Sequence, residues 1–451
     1  MIRPPAWLRR QRGRPPLAWA AGLGFFGVLE RLVLYRVYAP ISYGDSPSYL
    51  RLAGSLADFS LSGYDGTRVP GYPLLMMLMG AEPVRIWLAQ MALGLAISLL
   101  LFWLGWQTTR NPAIGAVLGL LYDVLPGQFL FEANLLTETF AAFWILLSLC
   151  LLHAVLGIGR RPASSVLLAF LLGIAASAAG MVRPLFFPLT VFYLPFLLFA
   201  PGRTWRARWQ AVVPFILGPL LIQGGWLAYM RSAYHVVSPT AMAGYSMVQH
   251  TGEFFEYLPD EYAPIRDTYL RFRDEQIAAR GVQTNAIWGA IPEISKASGL
   301  GFYDLAREMQ RLSWMLIRAH PLLYLRNVVE GWIWFWKAPV YWRPEMLAVP
   351  WLRSVLAAMA ILGRGLSLLA NLAFLIVSAA VVVSRKVRAW VRIDAMLLAS
   401  FGMVWLFSIL QTLLDHGDNP RFLVPLQMVV FFAIMHALTG GFGLRGEGGR
   451  P

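Results

Sequence analysis

The sequence predicts an all-α integral membrane protein, built as a polytopic helical bundle of about ten spans. Of the 451 residues, 58% are hydrophobic and only 14% are charged, whereas a soluble domain of this size carries far more charge. Apolar stretches long enough to cross about 30 Å of hydrocarbon also recur along the chain. A third observation, the placement of the charged residues between those stretches, predicts the topology.

The spans are predicted from apolar stretches of sufficient length. The first follows a basic stretch, Arg9 to Arg14, and no small-residue cleavage site comes after it. We therefore expect an uncleaved span with its N-terminus in the cytoplasm. The predicted spans are residues 17–38, 83–106, 113–131, 138–157, 164–180, 184–200, 211–230, 351–383, 393–413 and 421–439.

The formal net charge of +14 follows this topology, and it does not indicate nucleic-acid binding. Basic clusters fall on alternate connections, which the positive-inside rule places in the cytoplasm. Acidic residues fall almost entirely in the segments predicted to lie outside, or at their margins. The acidic exceptions are Glu30, Asp123, Asp394 and Glu447.

Two long polar segments divide the chain into three parts. Residues 1–230 form an N-terminal transmembrane module, which includes a first outer loop at about 39–82. Residues 231–350 are too polar to be a bundle of spans, so we predict a mixed extracytoplasmic loop domain with interfacial helices. Residues 351–451 supply the C-terminal transmembrane helices.

The loop domain contains two stretches with a recognisable pattern. Apolar residues from Phe302 to Leu316 recur at helical spacing, which predicts an amphipathic helix. Residues 321–341 are rich in tryptophan and carry charges, which is typical of an interfacial segment. A span there would place the basic cluster around Arg385 on the outer side, so we predict that this stretch does not cross.

The first outer loop contains the most informative motif, YGDSPSY at 43–49, and we expect it to be interfacial or re-entrant. Asp45 or Ser46 can cap a short helix whose first turn contains Pro47. An apolar face then runs from Tyr49 to Phe59. An ionised carboxylate at this helix N-terminus, just above the bilayer, suits a general base. A plain N-cap role for Asp45 is the alternative, and spacing alone favours it.

The same loop continues through Asp65 to the run RVPGYP at 68–73. Two prolines around Gly71 predict a turn that dips toward the membrane. Arg68 can pair with a carboxylate or a phosphate, or it can be an ordinary snorkelling arginine. Sequence alone leaves these two readings of Arg68 nearly even.

Charged residues also mark the outer ends of later spans, in LTET at 136–139, VRP at 182–184 and DHGDNPR at 415–421. Such groups are costly at a membrane boundary unless they are paired or face a wet cavity. We expect the bundle to bring Asp45, Arg68, Glu138, Arg183 and Arg421 around one cavity. The candidate substrate-binding residues are Asp65, Arg68, Tyr72, Glu138, Arg183, His416, Asp418 and Arg421, with Asp45 as the candidate catalytic residue.

A cavity of this composition suits transfer of a sugar from a polyprenyl-phosphate donor. Arginines at headgroup depth would hold the phosphate and stabilise the charge that grows as it departs. Because phosphate is a good leaving group, one base suffices and no general acid is needed. A single displacement would invert the anomeric carbon.

At these motifs the chain resembles the GT-C superfamily of membrane glycosyltransferases, in particular its bacterial mannosyltransferase-like and aminoarabinose-transferase-like branch. The matching pieces occur in the family's order over roughly 1–200 and again near 421. They are GDSPSY at 44–49, RVPGYP at 68–73, LTET at 136–139, VRP at 182–184 and RFLVP at 421–425.

The resemblance implies a polyprenyl-phosphate-linked sugar donor, an inverting transfer outside the cytoplasm, and a site in the cell (inner) membrane. It makes Asp45 the catalytic base and Arg183 and Arg421 the candidates for the lipid phosphate. Many relatives have a second acid directly after the first-loop aspartate, where this chain has Ser46. A paired-carboxylate metal site is therefore in doubt, although Asp418 or Glu138 leaves a divalent cation possible.

Three other classes fit the sequence less well, and one of them is a non-catalytic membrane scaffold, which would not need Asp45. An O-antigen ligase or polymerase would use arginines and histidines of the long outer loop, and would not need Asp45. A membrane transporter would place ionisable groups near the midplane, as Asp123 is placed here. The sequence does not identify the sugar or the acceptor, which can be a lipid, a glycan or a protein.

Overall fold

The computed structural model describes residues 16–157, 162–417 and 419–441, and over these residues the chain folds almost entirely into helices. The N-terminal half alternates long apolar helices with short ones. Its helices are, in order, α1 Pro16–Val37, α2 Ser46–Ser55, α3 Gly71–Leu78, α4 Pro83–Thr109, α5 Pro112–Val124, α6 Pro126–Ala133, α7 Glu138–Gly157, α8 Pro162–Val182, α9 Pro184–Leu198 and α10 Trp205–Tyr234.

The second half begins with helices of the long polar segment and ends with three long apolar helices. These helices are, in order, α11 Ala243–Thr251, α12 Ala263–Arg280, α13 Ala286–Ser298, α14 Phe302–Ala319, α15 Pro321–Phe335, α16 Pro350–Val383, α17 Arg385–Val391, α18 Ala395–Leu414 and α19 Val424–Gly441. We call the end of the bundle that carries residues 38–82 and 235–349 the loop end.

Eight helices of the described residues are long and apolar enough to cross a membrane, so the chain is a helical membrane protein. They are α1, α4, α7, α8, α10, α16, α18 and α19. A ninth span results if α5 and α6, which are bent by 64° at their junction, are counted as one. The bend falls at Pro126, because proline has no N–H to donate to the preceding turn. The remaining predicted span, 184–200, corresponds to α9, which is too short to be counted with these.

The long polar segment has a hydrophobic core of its own, separate from that of the bundle. In α14 the apolar face predicted from sequence is buried, with Leu305, Met309, Leu312 and Leu316 all inaccessible. Where the sequence predicts a mixed domain, the regular elements found among the described residues of 235–349 are all helices. The single β-bridge of the described chain lies elsewhere, between Ile41 and Asn134.

Helix α15 enters the bundle rather than lying flat on a surface. Near its start, the Tyr324 hydroxyl donates to the carbonyl of Leu413 at the end of α18 (2.7 Å). Two turns later, Trp332 stacks on Trp405, which lies about 12 Å further along α18. The chain then returns to the loop end, where the backbone N–H of Ala348 donates to Val37. Residues 321–341 therefore enter and leave at the same end.

Candidate functional site

The loop that carries Asp45 is held against the segment between α6 and α7. The backbone N–H of Ile41 donates to Ala133, and that of Leu135 donates back to Ile41. Ser46, which begins α2, is fully buried and donates its hydroxyl to the carbonyl of Leu135 (2.8 Å). These contacts fix the backbone on both sides of Asp45.

Asp45 occupies the N-cap position of α2, but its carboxylate does not cap the helix. Its Oδ1 accepts a hydrogen bond from Nη2 of Arg68 at 2.6 Å, and its Oδ2 accepts one from Nη2 of Arg421 at 2.7 Å. The plain N-cap alternative therefore does not describe this side chain. The apolar face of the helix also ends earlier than expected, since Phe59 lies beyond it with a positive φ and is exposed.

Arg421 joins Asp45 to a second carboxylate. Its Nε lies 3.2 Å from Oε1 of Glu138, and Nη1 of Arg183 lies 2.8 Å from the same oxygen. The guanidinium of Arg183 also lies over the ring of Phe422, at 4.2 Å from its centroid. Three arginines and two carboxylates thus form one connected cluster with a net charge of one positive unit. We call these five residues the charged cluster.

Each member of the charged cluster stands at a helix end on the loop end of the bundle. Glu138 is the first residue of α7, where the helix dipole favours a carboxylate. Arg183 lies in the extended break between α8 and α9, because Pro184 prevents the preceding residue from remaining helical. Arg68 precedes α3, and Arg421 lies in the short helix Asn419–Phe422 before α19.

Gly71 brings α3 against the end of α8. A Cβ at this position would lie 2.4 Å from the carbonyl oxygen of Met181, so no residue larger than glycine fits there without a shift. The sequence predicts a turn here, but the residues from Gly71 onward form the helix α3. This close approach sets Arg68 and Arg183 on neighbouring segments.

The electrostatics of the cluster keep Asp45 ionised. Burial alone raises the pKa of the Asp45 carboxyl, but the charges of Arg68 and Arg421 outweigh it and hold the pKa well below its usual range. In this arrangement Asp45 is a weak base. An anion that draws either guanidinium away would raise the pKa of Asp45 toward its ordinary value of about 3.9.

The charged cluster adjoins a cavity of about 380 Å³. On the bundle side its wall contains Arg68, Arg183, Arg421 and Asp415. Asp45 and Glu138, which were expected around the same cavity, pair with these arginines and lie outside the lining. The opposite wall comes from the long polar segment and is uncharged. The residues of that second wall are Ser238, Pro239, Thr240, Met242, Ala243, Ser246, Met247, Gln310 and Trp314. The cavity thus has a cationic side and a neutral side with hydroxyl, amide and indole groups.

The other candidate residues lie around the cavity rather than in its wall. Asp65 pairs with Arg51 at 2.7 Å. Tyr72 is fully buried and donates its hydroxyl to Oε1 of Gln90 (2.9 Å). His416 is buried, with its ring against Trp334. Asp418 lies outside the described residues.

Sequence reasoning missed most of the cavity wall, including Gln310, Trp314 and Asp415. Gln310 and Trp314 lie on the helix α14, and only the packing of that helix over the bundle brings them to the cavity. Asp415 also lines the cavity and accepts a hydrogen bond from the backbone N–H of Gly417 (2.7 Å). Its place in the acidic turn before Arg421 was a signal that could have identified it.

A metal centre is not evident in the part of the chain that the structure describes. No group of three or more histidine, cysteine, aspartate or glutamate side chains there is arranged to hold an ion. Histidines, which a ligase-type mechanism would use, are also missing from the described residues that line the cavity.

Comparisons of the chain with family models, with curated proteins and with solved structures find no match. The class of protein that the fold defines is a helical membrane protein.

Proposed function

We propose that the protein is an inverting glycosyltransferase that moves a sugar from a polyprenyl-phosphate donor to an acceptor on the outer face of the cell membrane. The observation that carries the proposal is the charged cluster, whose three arginines line a cavity at the loop end of the bundle. The pairing of its arginines with two carboxylates supports a phosphate site next to a carboxylate base.

The charge of the cluster supports a donor with one phosphate. A sugar joined to a lipid through a single phosphate is a phosphodiester with one negative charge, which matches the single positive charge of the cluster. We assign that phosphate to Arg183 and Arg421, because both lie beside one carboxylate oxygen of Glu138 and so already converge on an anion. Guanidinium groups in a site of low dielectric also stabilise the charge that develops on a departing phosphate.

Asp45 supplies the base in this proposal. An acceptor hydroxyl attacks the anomeric carbon, the bond from that carbon to the phosphate oxygen breaks with its electron pair, and the hydroxyl proton passes to Asp45. The donor phosphate competes with Asp45 for Arg421, so donor binding raises the pKa of Asp45 when a base is needed. The displaced phosphate leaves on the side opposite to attack, and the configuration inverts.

The uncharged wall is suited to the sugar and the acceptor. Gln310, Ser246 and Thr240 offer amide and hydroxyl groups that hydrogen-bond to sugar hydroxyls, and Trp314 offers an aromatic face. We therefore assign substrate selection to the long polar segment, and phosphate binding and proton transfer to the bundle.

A transporter is the second candidate, because Arg31, Asp123 and Glu132 form an ionic cluster within the spans. Intramembrane charges of this kind often mark ion or substrate pathways. A transporter would not require a base at Asp45, so the two candidates differ in what the Asp45→Asn variant does.

The test is an extraction of membrane lipids from a strain in which the gene is deleted. We expect a polyprenyl-phosphate sugar to accumulate, and to disappear when the wild-type chain or the Asp58→Asn variant is supplied. Asp58 is exposed and lies in the same loop as Asp45, so it is a matched control. Asp45→Asn, folded and present in the membrane, should leave the lipid accumulated. A strain with no accumulated lipid-linked sugar, or one rescued by Asp45→Asn, would refute the proposal.

A further inference from the structure

An ionic cluster lies within the bundle beneath the Asp45 loop. Arg31 of α1 binds Glu132 in a bidentate manner, from Nε to Oε2 at 3.0 Å and from Nη2 to Oε1 at 2.6 Å. Its Nη1 also donates to Oδ1 of Asp123 at 3.0 Å, and Ser98 donates to the other oxygen of Asp123 at 2.7 Å. Arg31, Asp123 and Glu132 are all buried. We call these three residues the buried cluster.

Glycine provides the space that the buried cluster occupies. A Cβ on Gly94 of α4 would lie 1.8 Å from Oε1 of Glu132 and 2.8 Å from Nη2 of Arg31. The guanidinium and the carboxylate therefore pack directly against the α4 backbone, and Glu132 has little freedom to move. A fixed Glu132 fixes the backbone of the residues that follow it.

Those residues form the template for the Asp45 loop. Ala133, the next residue, accepts the backbone N–H of Ile41 at 2.8 Å, and Leu135 donates to Ile41 at 2.9 Å. The carbonyl of Leu135 then accepts the hydroxyl of Ser46, whose own backbone adjoins Asp45. These contacts, which we call the backbone route, join Glu132 to Asp45 of the charged cluster.

A side-chain route runs in parallel with the backbone route. Gln90 donates its amide to the carbonyl oxygens of Glu132 and Asn134, at 2.7 and 2.8 Å. Its own oxygen accepts the hydroxyl of Tyr72, and the ring of Tyr72 meets the ring of Tyr49 edge-on. The guanidinium of Arg68, which pairs with Asp45, lies over Tyr49 at 5.2 Å from the ring centroid.

From these two routes we infer that Arg31 and Glu132 are positioning residues for Asp45, which they hold in register with the arginines of the cavity without touching the substrate. The inference rests on the proposed function only in its chemical readout, because the placement of Asp45 can be measured without any reaction. It also assigns to Tyr72 a supporting role beneath the site.

The buried cluster is suited to positioning rather than to stabilisation. A buried ion pair is frequently no more stabilising than well-packed neutral groups of similar volume. The Glu132→Gln variant keeps the shape of the side chain, and Asp123 still balances the charge of Arg31. We therefore expect this variant to fold, with a freer Asp45 loop.

The experiment attaches a nitroxide label at position 44, in a chain with Gly44→Cys and Cys150→Ala. A Cβ at position 44 meets no atom within 4 Å, so the label is tolerated beside Asp45. The line shape of the electron paramagnetic resonance spectrum then reports the mobility of the loop. Glu132→Gln should narrow the lines, and Ser46→Ala, which breaks the backbone route outside the buried cluster, should do the same.

The matched control is Asp394→Asn, which removes a carboxylate that pairs with His436 at 2.8 Å at the other end of the bundle. This variant should leave the label as immobile as in the parent chain. An unchanged spectrum in Glu132→Gln, whether or not Ser46→Ala narrows the lines, or equal narrowing in Asp394→Asn, would overturn the inference.

Transfer activity provides the second readout. Glu132→Gln should lower the turnover number by about 100-fold, the scale expected when a catalytic group is misplaced by about 1 Å, and should leave the KM for the donor nearly unchanged. If Glu132→Gln frees the label but the wild-type chain shows no transfer, the proposed function is rejected and the positioning role stands. Transfer at the wild-type rate by Glu132→Gln would reject the positioning role alone.

Discussion

The Asp45→Asn variant is predicted to lose transfer and yet to bind a lipid phosphate more tightly than the wild-type chain. Asp45 now holds Arg68 at 2.6 Å and Arg421 at 2.7 Å. A phosphate bound to Arg421 must therefore share that guanidinium with a carboxylate of the same charge. Asparagine removes the competing charge, keeps the side-chain shape, and raises the net charge of the cluster by one positive unit.

The magnitude follows from the geometry of two anions on one guanidinium. Each lies about 2.8 Å from the guanidinium, so they are about 6 Å apart, and their repulsion at an effective dielectric constant of about 20 is roughly 3 kcal/mol. The Asp45 side chain is 22% exposed, and screening by water reduces this to about 1–2 kcal/mol. Binding should therefore tighten by about 5- to 30-fold.

The assay is titration of the purified protein in lipid nanodiscs with a short-chain polyprenyl monophosphate, followed calorimetrically at low and at moderate salt. The Asp58→Asn variant, which removes an exposed acid from the same loop, should bind as the wild type does. Equal or weaker binding by Asp45→Asn would show that Asp45 does not compete with the phosphate, and would refute the role given to Arg421.

Three further predictions concern the residues around the cavity. Gly71→Ala should destabilise the fold by about 1–3 kcal/mol, because the new methyl group meets the carbonyl of Met181. Gly54→Ala, whose methyl group meets no atom, should not, and thermal unfolding in detergent compares the two variants. Arg183→Lys should weaken binding of the same lipid phosphate about tenfold, since an ammonium group cannot bind bidentately, and undiminished affinity would remove Arg183 from the phosphate site. Burial, and after it the nearby His416, lowers the pKa of His250 to about 3, so His250 is neutral in the folded protein. The free energy of unfolding should therefore fall by up to about 3 kcal/mol as the pH drops from about 6.5 to 4. If the His250→Gln variant lost stability with pH as steeply as the wild type, this prediction would be wrong.

Much of the bundle could be predicted from sequence, because a membrane imposes a simple rule on it. Backbone polar groups in hydrocarbon must bond within their own helix, so spans are read from apolar length alone. The ten predicted stretches all correspond to helices, although the stretches 113–131 and 184–200 are a bent pair and a short helix. Pro126 explains the bend, and Pro184 and Pro201 flank the short helix.

For residues 321–341, the sequence predicted only part of what the structure has. Their composition and the charge near Arg385 predicted that they do not cross, and they enter and leave at one end of the bundle. Their packing along α18 depends on the fit of Trp332 against Trp405, residues that are far apart in sequence. Surface composition does not distinguish a segment that lies on a membrane from one that inserts beside a helix.

The sequence by itself determined which side chains were available at the loop end of the bundle. It placed Asp45, Arg68, Glu138, Arg183 and Arg421 at the ends of helices, because charged groups are too costly to lie within a span without a partner. Only the tertiary structure decided that these five form one cluster, and that the carboxylate of Asp45 pairs with arginines rather than caps its helix.

The tertiary structure also decided what faces that cluster and what supports it. Gln310 and Trp314 reach the cavity only through the packing of α14 over the bundle, and Asp123 finds its partner Arg31 across 92 residues of chain. Hydrophobic pattern and helix propensity are local properties, whereas ion pairs between distant residues depend on how whole helices pack. For that reason the residue types of this site were readable from the chain, and their pairing was not.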